Sequence, residues 1–314
     1  MINVITIEGP TASGKSALAL ALAENLGSQI ISADSRQVYR YLNIGTAKPN
    51  LEEQRRVRHH LIDIIDPSQS YNAGAFTKDA RIIIENLNQK GIVPIVCGGT
   101  GLYIRALLQG LFELPEQDPA LREHLQNRLK TEGLNSLFAE LQQLDPDFAM
   151  KISPNDPQRI LRGLEVALGT GIPLSEHWRR QNRATRLTAF RILIDPLRAW
   201  LYKRIDQRMR LMIENGLLDE ITELLKMGYD FHSPGLNSLG YKEFIPAFEN
   251  RASLQDCTDL AAQHHRNYSK RQVTWYRKCS FDLTLDSSAI TISEMIRRFE
   301  VEYSEAKKCK LWPK

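Results

Sequence analysis

Apolar and polar positions change period along the chain, and the changes mark out its elements. Residues 3–8 (Asn-Val-Ile-Thr-Ile-Glu) make a short, mostly apolar run that predicts a buried strand. A turn-rich stretch, Gly9 to Ser16, follows. Residues 17–26 are then dominated by Ala and Leu and predict a helix, with Gly27 as its C-cap. Further strand-like runs are 29–33, ending at Asp34, then 61–65 (Leu-Ile-Asp-Ile-Ile) and 92–97. Between the last two, Phe76, Ala80, Ile83 and Leu87 recur at helical spacing up to Gly91. Gly98-Gly99-Thr100-Gly101 opens another helix. Strands alternating with helices predict a parallel sheet covered on both faces.

The pattern changes near Leu114-Pro115. From about 117 to 184 every signal is helical, broken at Asp145-Pro146, Ser153-Pro154, Asp156-Pro157 and Gly171-Ile172-Pro173. A strand returns at 190–194 and ends in Asp195-Pro196. Long helices are expected at about 197–228 and 253–279, a strand at 281–285 and a last helix near 290–307. The tail from Lys307 to Lys310 is expected to fray. The chain therefore reads as a core of residues 1–114 and 187–314, interrupted by an all-helical insertion, 115–186.

Composition sharpens this only a little. The 314 residues are 42% hydrophobic and 25% charged, an ordinary globular balance, so disorder over the whole length is excluded. The four cysteines form no C-x-x-C pair, which argues against a zinc ribbon and suits a reducing cytosol. The first residues lack a basic region and a cleavage site, and no apolar run is long enough to span a bilayer. A cytoplasmic protein with no membrane partner, and a monomer, is expected. The formal net charge of +4 does not by itself point to nucleic acid.

The strongest chemical signal is Gly9-Pro10-Thr11-Ala12-Ser13-Gly14-Lys15-Ser16, which fits G-x-x-x-x-G-K-[ST] between a predicted strand and a predicted helix. Glycines let successive N–H groups face one anion, and the helix N-terminus adds positive potential. Lys15 supplies a full charge and the Ser16 hydroxyl can ligate Mg²⁺. This makes the expected fold an α/β, P-loop NTPase-like, doubly wound parallel sheet. An ATPase would show an apolar strand ending in a metal-binding Asp. Here 92–97 runs into Gly-Gly-Thr instead, and the best strand-end carboxylate is Asp34. At the carboxyl edge of such a sheet Asp34 and Thr100 would face the phosphate loop. Asp34 can accept a proton from a nucleophile or cap a turn; the sequence weighs the two equally. A phosphate-transferring kinase, a transferase that holds a pyrophosphate leaving group and a non-catalytic RNA-binding module all stay open at this point.

Basic residues are segregated. Residues 264–278 hold five Lys or Arg and no acid, with Tyr268, Trp275 and Tyr276 interleaved. Arg179, Arg180, Arg183, Arg186 and Arg191 form a second cluster; Arg55, Arg56 and Arg58 form a third. Any one alone reads better as a solvated helix face. Three together favour an RNA partner, with phosphates tracked by the cations and bases stacked on the rings. Arg204 and Arg208, one helical turn apart, can reach phosphate oxygens or pair with Asp206 and Glu214.

Further blocks make a resemblance specific. They are Asp34-Ser35-Arg36-Gln37-Val38-Tyr39, Asn43-Ile44-Gly45-Thr46-Ala47-Lys48-Pro49, His59-His60-Leu61-Ile62-Asp63 and Gly98-Gly99-Thr100-Gly101-Leu102-Tyr103. Later come Asn155-Asp156-Pro157-Gln158-Arg159-Ile160-Leu161-Arg162, Gly240-Tyr241-Lys242-Glu243 and Lys270-Arg271-Gln272-Val273-Thr274-Trp275-Tyr276-Arg277. With the phosphate loop, these cover nearly the whole chain, which resembles the tRNA dimethylallyltransferases (tRNA isopentenyltransferases) of the bacterial MiaA type. Arg58 stands where a Pro is common in that family, and 236–239 is a looser lead into Gly-Tyr-Lys than usual.

The resemblance implies transfer of a dimethylallyl group from dimethylallyl diphosphate to N6 of adenosine 37, beside the anticodon in the anticodon stem-loop of tRNA, with Mg²⁺. It implies that residues 9–16 hold the diphosphate, where Arg208 is also expected from its place one turn after Arg204, and that Lys15, Ser16, Thr100 and Asp34 serve catalysis, Asp34 as base. The implied tRNA contacts are Asp34, Ser35, Arg36, Gln37, Thr100, Gln158, Arg159, Ile160, Leu161, Arg162, Gly240, Tyr241, Lys242, Lys270, Arg271, Gln272, Trp275 and Arg277, with the helical insertion as a clamp.

Overall fold

A computed structural model describes residues 3–110, 118–180 and 187–310. The chain divides into two units, one of residues 1–109 and 186–314, the other of 110–185. The first unit opens with β1 (Val4–Glu8), α1 (Lys15–Leu26), β2 (Ile30–Ser32), α2 (Leu51–Arg56), β3 (His59–His60), α3 (Ala73–Gln89), β4 (Ile95–Gly98) and α4 (Gly101–Gln109). The second unit holds α5 (Pro119–Glu132), α6 (Leu134–Leu144), α7 (Pro146–Ala149), α8 (Pro157–Thr170) and α9 (Leu174–Arg180). The first unit resumes with β5 (Ala189–Ile194), α10 (Arg198–Glu214), α11 (Leu217–Lys226), α12 (Ile245–Phe248), α13 (Leu254–Tyr276), β6 (Leu283–Leu285) and α14 (Ile292–Lys310).

Six strands form one sheet in the order β3-β2-β4-β1-β5-β6, and every pairing is parallel. The fold is the P-loop NTPase-like α/β fold. Strand residues buried on both sides explain the continuous apolar runs. On one face α1 and α14 pack Leu18, Leu22, Phe299 and Tyr303 against Ile5, Ile7 and Ile192. On the other, α3 and α4 pack Phe76, Ile84, Ile104 and Leu107 against Val4, Ile31 and Val96. A third core joins 38–42 to α10, α11 and α13 through Met209, Leu217, Tyr241, Phe244 and Ala261. The helical unit has its own core, built on Leu125, Leu141, Phe148, Ile160 and Leu164.

Several elements depart from expectation. The strand expected at 61–65 is His59–His60 instead. Leu61 (φ 60°) and Asp63 (φ 56°) are left-handed, so the chain leaves the sheet there, and Ile65 keeps only one isolated bridge, to Tyr39. The strand expected from residue 92 begins at Ile95, just after Pro94, which has no N–H to give. The long helix expected over 197–228 is two helices, because Gly216 (φ 92°) is left-handed and ends the first. The tail expected to fray from Lys307 is helical through Lys310. Arg191 does not belong to a surface cluster: it lies in β5 and forks onto buried Glu8 of β1 at 2.9 Å with both arms, beneath Phe281. The expected boundary at 114–115, and Arg183 and Arg186, lie outside the described residues.

Candidate active site

The phosphate loop connects the carboxyl end of β1 to α1. Ala12 (φ 62°) and Gly14 (φ 91°) both take left-handed backbone, and Gly14 enters α1 with no side-chain cap. The first-turn N–H groups of α1 are therefore open to an anion. Side-chain donors hold the loop's carbonyls instead. Lys15 Nζ donates to Pro10 O at 3.2 Å, Arg204 Nε to Ala12 O at 3.1 Å and Ser287 Oγ to Ser13 O at 2.6 Å. Ser13 Oγ is buried with no hydrogen-bond partner among the described residues. An orphaned hydroxyl beside open N–H groups is the cradle a phosphate oxygen would complete.

The charged groups expected around this loop are close together. Burial lowers the Lys15 pKa, and the Asp34 carboxylate and Arg208 guanidinium are both within electrostatic reach of it. Burial also lowers the Arg208 pKa, against the pull of Asp34. The buried Cys97 thiol, at the end of β4, is pushed up to about 11 by desolvation, with Lys15 opposing. Ser16 itself is exposed at the start of α1. Two partly desolvated cations beside one carboxylate form a site biased toward a multiply charged anion.

Asp34 follows β2, half-buried. Its Oδ1 accepts the Arg36 N–H at 2.8 Å, so the turn expected as one alternative is formed. No donor among the described residues reaches Oδ2, so this turn leaves the second oxygen available as a base. Thr100 stands opposite: its Oγ1 accepts the Ser35 N–H at 3.2 Å, and its N–H donates to Ala33 O. On α13, burial, then Asp34, push the Tyr268 phenol up to about 12, with Arg36 opposing. Gln37 is bound into the scaffold, accepting from Ser32 Oγ at 2.9 Å and donating to Ala47 O at 3.0 Å. The Arg36 side chain makes a long contact, 3.4 Å, to Pro234 O.

The block 43–49 has a structural job. Lys48 Nζ donates to Tyr39 O, Asn43 Oδ1 and Asp63. Glu220 accepts the N–H groups of Asn43, Ile44 and Gly45 and the Tyr241 hydroxyl. A Cβ on Gly45 would stand 2.5 Å from the Tyr241 ring, so only glycine fits.

Helix α13 organises one side of the site. Its buried stripe, His265, Ser269, Gln272 and Tyr276, follows the helical spacing of i, i+4, i+7 and i+11. Lys270, Arg271 and Arg277 are exposed, as is Lys242. Trp275 is half-buried against Gly101, with the Arg105 guanidinium 4.7 Å over its ring. Four residues expected to touch tRNA are buried. Tyr241 is core, and Gly240 gives its N–H to Glu243. Ile160 belongs to the helical unit's core. Gln272 is 6% exposed with both ends of its amide engaged: Oε1 accepts the Thr11 N–H at 2.8 Å, and Nε2 donates to Gly99 O at 2.8 Å. In α8, Gln158 is exposed and Leu161 half-buried; Arg159 pairs with Asp156 at 3.2 Å and Arg162 with Glu165 at 3.1 Å.

Sequence reasoning left three participants unassigned. Arg204, given alternative roles, contacts the phosphate loop; Asp206 pairs instead with Arg266 of α13. Tyr268 was a stacking aromatic only, and Ser287 carried no signal. A buried polar stripe at helical spacing in α13 was the legible clue to Gln272.

A family model described as IPP transferase matches residues 37–279. The chain is 44% identical over 276 residues to tRNA dimethylallyltransferase 1 of Trichlorobacter lovleyi, covering 88% of this chain and 90% of the relative. It is 39% identical to tRNA dimethylallyltransferase of Aquifex aeolicus, covering 98% of this chain and all of the relative. Among solved structures, the tRNA isopentenylpyrophosphate transferase of Bacillus halodurans superposes with a TM-score of 0.70 at 32% identity, covering 98% and 99% of the two chains. A eukaryotic dimethylallyltransferase acting on tRNA gives a TM-score of 0.80 at 28% identity, covering 97% of this chain and 77% of that one.

Proposed function

The chain belongs to the IPP transferase family, and from that premise we propose that it transfers a dimethylallyl group from dimethylallyl diphosphate to N6 of adenosine 37 of tRNA, giving N6-(dimethylallyl)adenosine and diphosphate. One observation carries the site assignment: the open first turn of α1, Lys15, Arg208 and Asp34 meet within electrostatic reach of one another. An anion cradle beside a carboxylate is what displacement of a diphosphate by an amine needs.

In this reading residues 9–16 grip the leaving group. The allylic C–O bond breaks, a C–N bond forms, and the electron pair of the broken bond stays on the diphosphate. Loop N–H groups, Lys15 and Arg208 stabilise that charge, and such preorganised electrostatics usually make the largest contribution to catalysis. The adenine amine is a weak nucleophile because its lone pair is delocalised into the ring. Asp34 Oδ2 orients it and takes its proton as the new bond forms. Thr100, whose Oγ1 holds the Ser35 N–H, orders the acceptor side. The target base leaves its stack to reach this point, at a cost of a few kcal/mol. Exposed Lys242, Lys270, Arg271 and Arg277 offset that by contacts to phosphates, and Gln158, Arg159 and Arg162 give the helical insertion a second tRNA-contacting surface.

Mg²⁺ prefers a few oxygen ligands together with substrate phosphates over an all-protein cage, and the exposed Ser16 Oγ at the start of α1 is a ligand of that kind. Bound there, the ion would add positive charge against the leaving diphosphate.

The deciding assay incubates the protein with labelled dimethylallyl diphosphate and unmodified tRNA. Label in the tRNA at adenosine 37 is the expected outcome. Transfer of the γ-phosphate of ATP to a small molecule, with unlabelled tRNA, would replace this reading with a kinase.

A further inference from the structure

Gln272 joins two loops that the reaction must hold at a fixed separation. Its Oε1 accepts the Thr11 N–H inside the phosphate loop, and its Nε2 donates to Gly99 O, one residue before Thr100. The amide is almost fully buried, and it packs so closely that a Cβ on Gly99 would stand 2.3 Å from Nε2. An amide offers one acceptor and one donor group on a rigid planar end, so this side chain fixes both backbone groups at once. The helix that carries it is also the one that exposes Lys270 and Arg271.

We propose that Gln272 is a positioning residue: it sets the distance between the loop that grips the leaving diphosphate and the Gly99-Thr100 loop that meets the acceptor, and it makes no contact with RNA. The proposal rests on the functional reading above. It differs from the role that the motif around 270–277 implies, because neither end of the amide is left to face a nucleotide. It also ties the two loops to the helix that exposes Lys270 and Arg271.

The test replaces Gln272 by Met, which keeps the volume and removes both hydrogen bonds, and by Glu, which keeps the acceptor and removes the donor. Three quantities are read: the single-turnover rate with both substrates saturating, the affinity for tRNA by filter binding, and the slowing of backbone hydrogen exchange in the 9–16 segment by inorganic pyrophosphate. Gln272→Met is expected to lower the rate tenfold or more and to lose most of the pyrophosphate protection, with tRNA affinity within twofold of the parent. Gln272→Glu, with the loop contact kept, should retain more of the pyrophosphate protection than Gln272→Met.

A tenfold loss of tRNA affinity with protection intact would make Gln272 an RNA contact and overturn the proposal. Unchanged rate and protection in both variants would overturn it too. Should Gln272→Met fail to fold, the Glu variant is read against the parent: a tenfold slower single turnover with tRNA affinity within twofold upholds the proposal, and a parent-like rate or a tenfold loss of tRNA affinity overturns it. Pyrophosphate protection is measured without turnover, so a parent protein that transfers nothing to tRNA would sink the assigned reaction while leaving this inference to its own result.

Discussion

Asp34 combines two tasks that a substitution can separate. Its Oδ1 holds the turn through the Arg36 N–H, and no donor among the described residues reaches its Oδ2. Asparagine keeps an acceptor for the turn and loses the base; alanine loses both. If Asp34 takes the proton, Asp34→Asn and Asp34→Ala should slow single turnover alike, by about 10²–10⁴-fold, while tRNA affinity holds. A near-normal Asn variant beside a crippled Ala variant would reduce Asp34 to a turn residue. Cys97 offers a second test at this scale. Burial pushes its thiol up to about 11. A raised acid pKa keeps the neutral form through the working range, so the thiolate is scarce near pH 8. Alkylation of Cys97 by iodoacetamide should keep rising about tenfold per pH unit through pH 9.5. A plateau near pH 8.5 would show an ordinary thiol and contradict the desolvated setting of the loop.

Elements explain why some of the site was legible and some was not. The strand-loop-helix over 4–26 was plain because apolar run, glycine punctuation and helix formers agree with one another. The two-residue β3 was not, because left-handed Leu61 and Asp63 are stabilised by tertiary contacts that periodicity does not encode. The break at Gly216 was missed because one glycine in a helical pattern reads as tolerated. Asp34 and Thr100 were legible as strand-end residues. The contact that joins their two loops, the Ser35 N–H on Thr100 Oγ1, spans 65 residues of sequence, so spacing could not pair them.

Close strand packing leads to a prediction at the same scale. A Cβ on Gly98 would lie 2.1 Å from the Ala33 carbonyl oxygen, a backbone atom that cannot swing aside. Gly98→Ala must part β2 from β4 where Asp34 and Thr100 begin. A loss of about 1–3 kcal/mol in denaturant unfolding is expected, with a slower single turnover. Parent-like unfolding would mean that the strands part there without strain.

Across the whole molecule, charge is sorted by pairing more than by sequence clustering. Of the arginines that cluster in the sequence, Arg56 forks onto Glu24, Arg191 onto Glu8, and Arg179 and Arg180 pair with Glu176. Arg266 pairs with Asp206. No carboxylate pairs with Lys270 or Arg271 among the described residues, and both are exposed. Counterion release on RNA binding depends on cations that meet phosphates, and a cation already neutralised by a carboxylate adds little to it. Lys270→Ala and Arg271→Ala should each weaken tRNA binding and flatten the plot of log affinity against log salt by about one unit. Arg56→Ala and Arg266→Ala should leave that slope nearly unchanged, whatever they do to stability. Equal flattening by all four would mean that RNA reads the basic clusters as the sequence lays them out. A distinction between the two pairs would mean that the fold, by choosing which arginines to neutralise, decides where the RNA lies.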